Sequence, residues 1–288
     1  MATYTGVADA NGDFTVPFSS NYTGGQKVTV TAEKDGAEKT IELHAPSEAV
    51  GGGIIQFTGT LNNFPNNIGG VILSEISGSI GSNSFQPFDN NSIWNKATSL
   101  EIKAPISLIG DGAFSNWKNA LSLSLPSSLN TINNSGFRSW INATSLLIPN
   151  AVTTLGMFAF NDWPKAKSLA ISNGLKSIPS NCFSGWSALT AISIPNGVLT
   201  IGDNAFSGAI ACLSLVIPQS VTAIAATAFN SLLKCETITV NAQNPPSITS
   251  TTFSNLKAGC VFKVPAASLA AYQAAPNWSV FSGQMVGV

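Results

Sequence analysis

The sequence predicts a mainly β protein built as a solenoid of 23-residue repeats. Three observations carry that reading. Phe114, Phe137, Phe160, Phe183, Phe206 and Phe229 follow one another at one constant interval, and Phe253 arrives a single position late. The apolar positions between them keep the same phase from repeat to repeat. Each repeat also holds a short alternation of apolar and polar residues, the mark of a strand. A fixed period in this range means stacked copies of one unit. A single unit buries too little to fold alone, so neighbours must cover its faces and share its strand hydrogen bonds.

The columns justify each element in turn. Leu100, Leu123, Leu146, Leu169, Ile192, Leu215 and Ile238 form one column. Ile102, Leu125, Ile148, Ile171, Ile194, Ile217 and Val240 form another, two positions on, so both point inward from one strand. Pro126, Pro149, Pro195 and Pro218 end that strand. Ile106, Leu129, Val152, Leu175, Val198 and Val221 supply a further inward position, as do Ile109, Ile132, Leu155, Ile178, Ile201 and Ile224. Gly202, Asp203 and Asn204, ahead of Phe206, are turn chemistry or one short helical turn. The phenylalanines are read as a core spine.

The cysteines and tryptophans fall in the same register. Cys212 and Cys235 continue the column Ala97, Ala120, Ala143, Ala166 and Leu189, and Cys182 shares a small-residue slot with Ala113, Gly136, Ala159, Ala205 and Ala228. These three are expected to be reduced core residues, since free Cys behaves as a small hydrophobe. Adjacent rungs also leave a 212–235 disulfide open. Cys260 lies outside the register. Trp94, Trp117, Trp140, Trp163 and Trp186 form one column that continues as Ala209 and Leu232. Two readings stand for it: a packed core column, favoured by Ala209 and Leu232, or an aromatic strip for sugars or a partner.

Composition excludes several functions. The 288 residues are 44% hydrophobic and 9% charged, with a net charge of −1. Soluble proteins average about 25% charged. So few cations argue against nucleic-acid binding, which neutralises phosphates with Lys and Arg. No apolar run approaches the roughly 18 residues of a membrane span. No signal peptide is legible at the N-terminus. No cysteine pair has zinc spacing.

Residues 1–48 read as a small β-module. Val28–Glu33 and Lys39–His44 alternate, with a hairpin signal at Asp35 and Gly36. Phe14 to Val16 is strand-like. Asp9 to Asp13 forms an Asn-Gly turn, since its glycine and its missing terminal Glu do not suit a calcium loop. Residues 49–53 are a Gly-rich linker. Residues 54–93 hold repeat-like pieces without a clean register and are read as an N-terminal cap with degenerate repeats.

Residues 194–206, IPNGVLTIGDNAF, and residues 217–229, IPQSVTAIAATAF, resemble the BspA-type leucine-rich repeat of bacterial surface proteins. The run FKVPAASLAAY at 262–272, followed by Trp278, resembles that family's C-terminal cap of strand, short helix and aromatic plug. The resemblance covers about residues 94–288 and implies a leucine-rich-repeat arc with a parallel sheet on the concave face; with the cap and degenerate repeats of 54–93 the solenoid spans 54–258, and 259–288 is its C-terminal cap. The Trp column departs from the family, which usually carries Cys there. The stretches GVADANGDFTVPF and GGQKVTVTA resemble part of the immunoglobulin-like modules of bacterial adhesins and phage tail fibres. The segment 1–48 is too short for a whole seven-strand sandwich.

Parity then picks out a candidate ligand face. Residues flanking the inward pair point out from the strand. One ladder is Ser99, Ser122, Ser145, Ser168, Ala191, Ser214 and Thr237; its neighbour is Glu101, Ser124, Leu147, Ala170, Ser193, Val216 and Thr239. The face is small, hydroxyl-rich and nearly uncharged, with Glu101 and Lys103 the only charges near it. It reads either as side chains that tolerate concave crowding or as a smooth docking surface for a protein or glycan. No catalytic residue, cofactor or metal ligand is expected. The one histidine, His44, ends the N-terminal module, and no serine has a histidine in its own domain. Asp111 and Asp203 share a turn position about 19 Å apart by rung spacing, too far for a glycosidase pair at roughly 5–9.5 Å.

The expectation is a non-enzymatic recognition or adhesion protein of the cell surface, monomeric in isolation. The alternatives are a phage or prophage tail-associated receptor-binding protein, and a spacer without a specific ligand.

Overall fold

The structure is a computed structural model and describes residues 2–5, 14–18, 27–34, 37–44, 53–58, 68–74, 76, 78–90 and 92–288. The chain is mainly β, a parallel-strand solenoid, in two compact units, Met1–Ala143 and Thr144–Val288.

In the first unit, Ser99–Ile102 pairs in parallel with Ser122–Ser124 on one side and Gly70–Ser74 on the other. Gly70–Ser74 is antiparallel to Gly53–Phe57, which is antiparallel to Phe14–Phe18. A second sheet runs in parallel through Gly78–Ile80, Ile106–Ile109 and Thr131–Ile132. Val71, Leu73, Leu100, Ile102, Ile106 and Ile109 are buried between the two. Ala2–Thr5, Lys27–Lys34 and Ala37–His44 make a separate three-stranded sheet, with Lys34 opposite Ala37. Phe14–Phe18 is therefore paired with the strand that leads into the repeats. Gly53, expected in the linker, opens a strand instead. The Asp9–Asp13 turn and residues 49–52 lie outside the described residues.

One further rung precedes the regular register. Gly70–Ser74 aligns with Ser99–Ile102, and Phe85 stacks on Phe114 at 5.0 Å and 2°. Phe85 and Trp94 are nine positions apart where Phe114 and Trp117 are three apart. The extra chain lies between the two aromatics, yet their edge-to-face contact survives at 5.1 Å and 80°.

In the second unit, Ser145–Leu147 pairs with Ser168–Ala170. A longer parallel sheet runs Ala191–Ser193, Ser214–Ile217, Thr237–Val240, Val261–Val264 and Met285–Gly287. The second sheet contains Ser177–Ile178, Thr200–Ile201 and Ala223–Ile224, with a bridge from Ala223 to Ser247. At the C-terminal end, Val261–Val264 leads into the helix Leu269–Ala274 and then Trp278. Trp278 is buried against Phe253, Phe262 and Tyr272. Its indole N–H donates to the Pro246 carbonyl at 2.7 Å, and the Tyr272 hydroxyl donates to the Ala242 carbonyl at 2.8 Å.

The turn around each Phe has a repeating backbone. Gly112 and Asn116 both have positive φ, at 61° and 66°, and so do Asn181 and Gly185, and Asn204 and Gly208. These positions recur once per repeat, so each rung spends two left-handed residues on one turn. The consequence is a ladder across rungs. Gly112, Phe114 and Asn116 donate N–H bonds to the carbonyls of Asn134, Gly136 and Arg138 at 2.7–2.8 Å. Asn204, Phe206 and Gly208 do the same to Ala226, Ala228 and Asn230 at 2.8–3.2 Å. Intervening amides close the turn locally, as Ser115 does on Gly112 at 3.0 Å. Gly, Asn and Asp suit these sites, and Ser135, Ser139 and Ser231 fill them as well. Phe158 and Thr227 also occupy them, at 60° and 54°, where a Cβ is unfavourable.

Aromatic columns follow from that spacing. Trp94, Trp117 and Trp140 stack at 5.6–5.8 Å and 2–7°. In the second unit Phe183, Phe206, Phe229 and Phe253 stack at 5.2–5.6 Å, and Trp163 stacks on Trp186 at 5.4 Å. Within a rung the two columns meet edge to face, as Phe183 and Trp186 do at 83°. Each arrangement avoids the unfavourable face-to-face sandwich within a rung. The Trp117, Trp140 and Trp186 indole N–H groups donate to the carbonyls of Phe85, Phe114 and Phe160, each at 2.7 Å. All five tryptophans of the column are buried, Trp94 being the most exposed at 5%. The column is core, and the aromatic-strip reading is overturned. Where it shrinks to Ala209 and Leu232, those two and the neighbouring Cys212 and Cys235 are all buried, so the smaller residues still belong to the core.

Two outcomes follow. Trp140→Ala should destabilise the first unit by about 3–5 kcal/mol in urea unfolding, the range for a buried aromatic. Thr227→Asn should stabilise the second unit by about 1 kcal/mol, by relieving a left-handed β-branched residue.

Candidate functional site

The outward face of the main strands is where sequence parity placed a ligand. In the first unit, Ser99 lies beside Ser122, and Glu101 beside Ser124, while Leu100 and Ile102 are buried behind them. Glu101 pairs with Lys103 at 3.6 Å, both exposed enough that the pair adds little stability. In the second unit, Ser145 lies beside Ser168 and Leu147 beside Ala170. Ala191, Ser214 and Thr237 form one line there, and Ser193, Val216 and Thr239 the other. Each of these outward positions is exposed or half-buried, and Leu146, Ile192, Leu215 and Ile238 between them are buried. The strand parity read from sequence therefore matches the backbone. Leu147 is 68% exposed and is the large apolar side chain on this face.

Sequence reasoning missed the end of the ladder. Thr239 is beside Lys263, and Lys263 is beside Val286. Lys263 adds a third charge near the face, beyond Glu101 and Lys103. Both partners stand close to one repeat length further along the chain, but the last strand continues only one apolar column, through Met285 opposite Phe262, and so is not flagged.

The thiols form the chemically distinctive cluster. Cys182, Cys212, Cys235 and Cys260 are free and buried. Cys260 continues the Cys212–Cys235 column, which corrects its placement outside the register. Its amide bonds Lys257 as that of Cys235 bonds Leu232, one slightly longer rung later. Hydrogen bonds from Cys212 and Cys260 hold the Cys235 thiol below its ordinary value; that same sharing, with burial, pushes both flanking thiols up. Burial pushes the isolated Cys182 thiol well up as well. Among the described residues, no group of three or more His, Cys, Asp or Glu is arranged to hold a metal ion. No described helix is long and apolar enough to cross a membrane. Asp111 serves its turn by accepting the Asn134 N–H at 3.0 Å. His44 closes the strand Ala37–His44.

This architecture defines a repeat-built solenoid whose accessible chemistry lies on faces and turn edges. The BspA type leucine rich repeat region matches residues 79–209 and 176–268, in six copies, and the chain belongs to that family. Among solved structures it is similar to a leucine rich cell surface protein from Faecalibacterium prausnitzii, at 14% identity and TM-score 0.34, over 65% of this chain and 93% of that one. It is also similar to a leucine-rich repeat protein from Bacteroides ovatus, at 19% and 0.43, over 73% and 69%. A leucine rich repeat protein from T. pallidum matches at 16% and 0.37, over 68% and 77%. No curated protein matches the chain.

The buried Cys182 gives a pH signature. Its folded pKa lies above the unfolded one, so its contribution to stability is whole at neutral pH. Above about pH 9 the unfolded chain releases the proton first, and stability falls by up to about 1.4 kcal/mol per pH unit. Denaturation of wild type and Cys182→Ala from pH 7 to 11 should show their stability gap shrinking by that slope above pH 9.

Proposed function

We propose that this chain is a non-enzymatic recognition protein of a bacterial cell surface, and that the outward strand ladder is its contact face for a protein or glycan. Residues 54–258 are the recognition solenoid, 259–288 its cap, and 1–48 its link to the rest of a surface structure. The observation that carries this reading is the ladder's chemistry. In the second unit, Ser145, Ser168, Ala170, Ala191 and Ser193 are all exposed on paired or neighbouring strands, with Leu147 the one prominent apolar side chain among them. Small side chains let a partner approach the backbone closely, and hydroxyls satisfy polar groups on either kind of ligand. Leu147, exposed among them, adds apolar area that a partner would remove from water. The near absence of charge disfavours strongly charged ligands.

The test replaces Ser145, Ala170 and Ser193 with Glu together. These positions face solvent, so the melting temperature should stay within about 2 °C, since surface changes alter stability by under about 0.5 kcal/mol. On combined glycan and surface-protein arrays, the wild-type signal should fall at least about tenfold in the variant. Equal signals would place recognition elsewhere on the chain. No signal from wild type would favour a spacer.

A further inference from the structure

A second surface carries its own chemistry. In the first unit, the turns of three successive rungs enclose a groove of about 610 Å³. That lies in the range of small-ligand sites. Its lining is unlike theirs, because every residue is polar or glycine. Asn83 and Gln86 come from the first rung, Asp111 and Asn116 from the second, and Asn134 and Arg138 from the third. Serines and Gly112 complete it. Three rungs span about 10 Å from first to last at the strand spacing.

We infer that this groove binds a neutral saccharide, through a mixed set of donors and acceptors centred on Asp111 and Arg138. The charges exclude ions first: one carboxylate and one guanidinium leave the groove neutral, and no second cation lines it to hold a phosphate or carboxylate. Apolar ligands are excluded next, since they would strip water from amides and charges and offer nothing in return. A peptide strand finds no edge to pair with, because the turn amides of Asn83, Gly112 and Asn116 already donate to the next rung. What remains is a ligand dense in groups that both donate and accept. Vicinal sugar hydroxyls are such groups. Carboxylates only accept, guanidinium only donates, and the amides and hydroxyls do both. The Asp111 carboxylate accepts one bond from the Asn134 N–H at 3.0 Å, which leaves most of its acceptor capacity available. Gly112 keeps the floor open: a Cβ there would strike the Asn83 amide oxygen. No aromatic ring lines the groove, so hydrogen bonds alone hold the sugar and the affinity is modest.

This site is separate from the strand ladder and its proposal does not depend on that reading. The probes are maltohexaose, cellohexaose, mannohexaose and xylohexaose, titrated calorimetrically into the full chain, with heparin and a Ser/Asn-rich peptide alongside. At least one neutral hexasaccharide should bind at about millimolar Kd or tighter. Asp111→Asn with Arg138→Ala should weaken it about tenfold, while the ladder Glu variant should bind as wild type. Arg138→Ala alone, which leaves the Asp111 bond to Asn134 in place, should already show a measurable loss if the double variant is unstable. The inference is overturned if no neutral hexasaccharide binds at 10 mM (an excess of roughly tenfold over the expected Kd), if only heparin or the peptide binds, or if binding survives the groove variants.

Discussion

The structure depends on the hydrogen bonds that each Phe-centred turn makes to the next rung. A turn ordinarily spends its amides on itself. Here two left-handed residues, such as Asn204 and Gly208, turn the chain so that alternate N–H groups reach the neighbouring carbonyls. That satisfies backbone groups which a buried turn would otherwise strand. It also sets the rungs at strand spacing on the turn side as well as the sheet side. With both sides held to one spacing, equivalent side chains must stack directly upon one another.

Direct stacking explains the columns better than hydrophobicity does. A column of Phe or Trp under this constraint has parallel rings, 5.5 Å apart for Phe206 on Phe229 and 5.6 Å for Trp117 on Trp140, and its only freedom is lateral offset. Phe and Trp columns side by side then meet edge to face, which suits their quadrupoles. The Trp indole would be a buried orphan donor in most such cores. Here the carbonyl of the preceding Phe accepts it, so bulk is gained without an unsatisfied group. Where Trp gives way to Ala209 and Leu232, the column stays fully buried with smaller side chains and no indole donor to satisfy.

Much of this was legible in the sequence because stacking makes chemistry periodic. The inward pairs, the outward ladder and the burial of Cys182, Cys212 and Cys235 all follow from residue type at fixed phase. What stayed hidden are the places where phase slips or where backbone conformation carries the information. The rung from Gly70 was obscured by the extra chain between Phe85 and Trp94. Cys260 and Lys263 were lost to rungs longer than the repeat, and Val286 to a last strand in which Met285 alone continues an apolar column. The left-handed sites hold Gly, Asn, Ser, Asp, Phe and Thr, a mixture that no single residue preference marks. The strand face was thus read from alternation, while the Asp111–Arg138 groove emerges only when three turns are set side by side.

The long rung between Phe85 and Trp94 also bears on how such a chain can change over generations. Its first strand keeps alignment with the following rung, its second does so after a one-residue shift between Gly78 and Ser79, and its aromatics keep their contact despite the added residues. Length is therefore gained at that corner with one strand irregularity beside it, while the rungs that follow keep the 23-residue phase. Whole rungs, in turn, present identical upper and lower bonding patterns, so unequal recombination between copies would yield a shorter or longer chain that still folds. Corners and copy number are thus the places where such a chain can change length while its columns stay stacked.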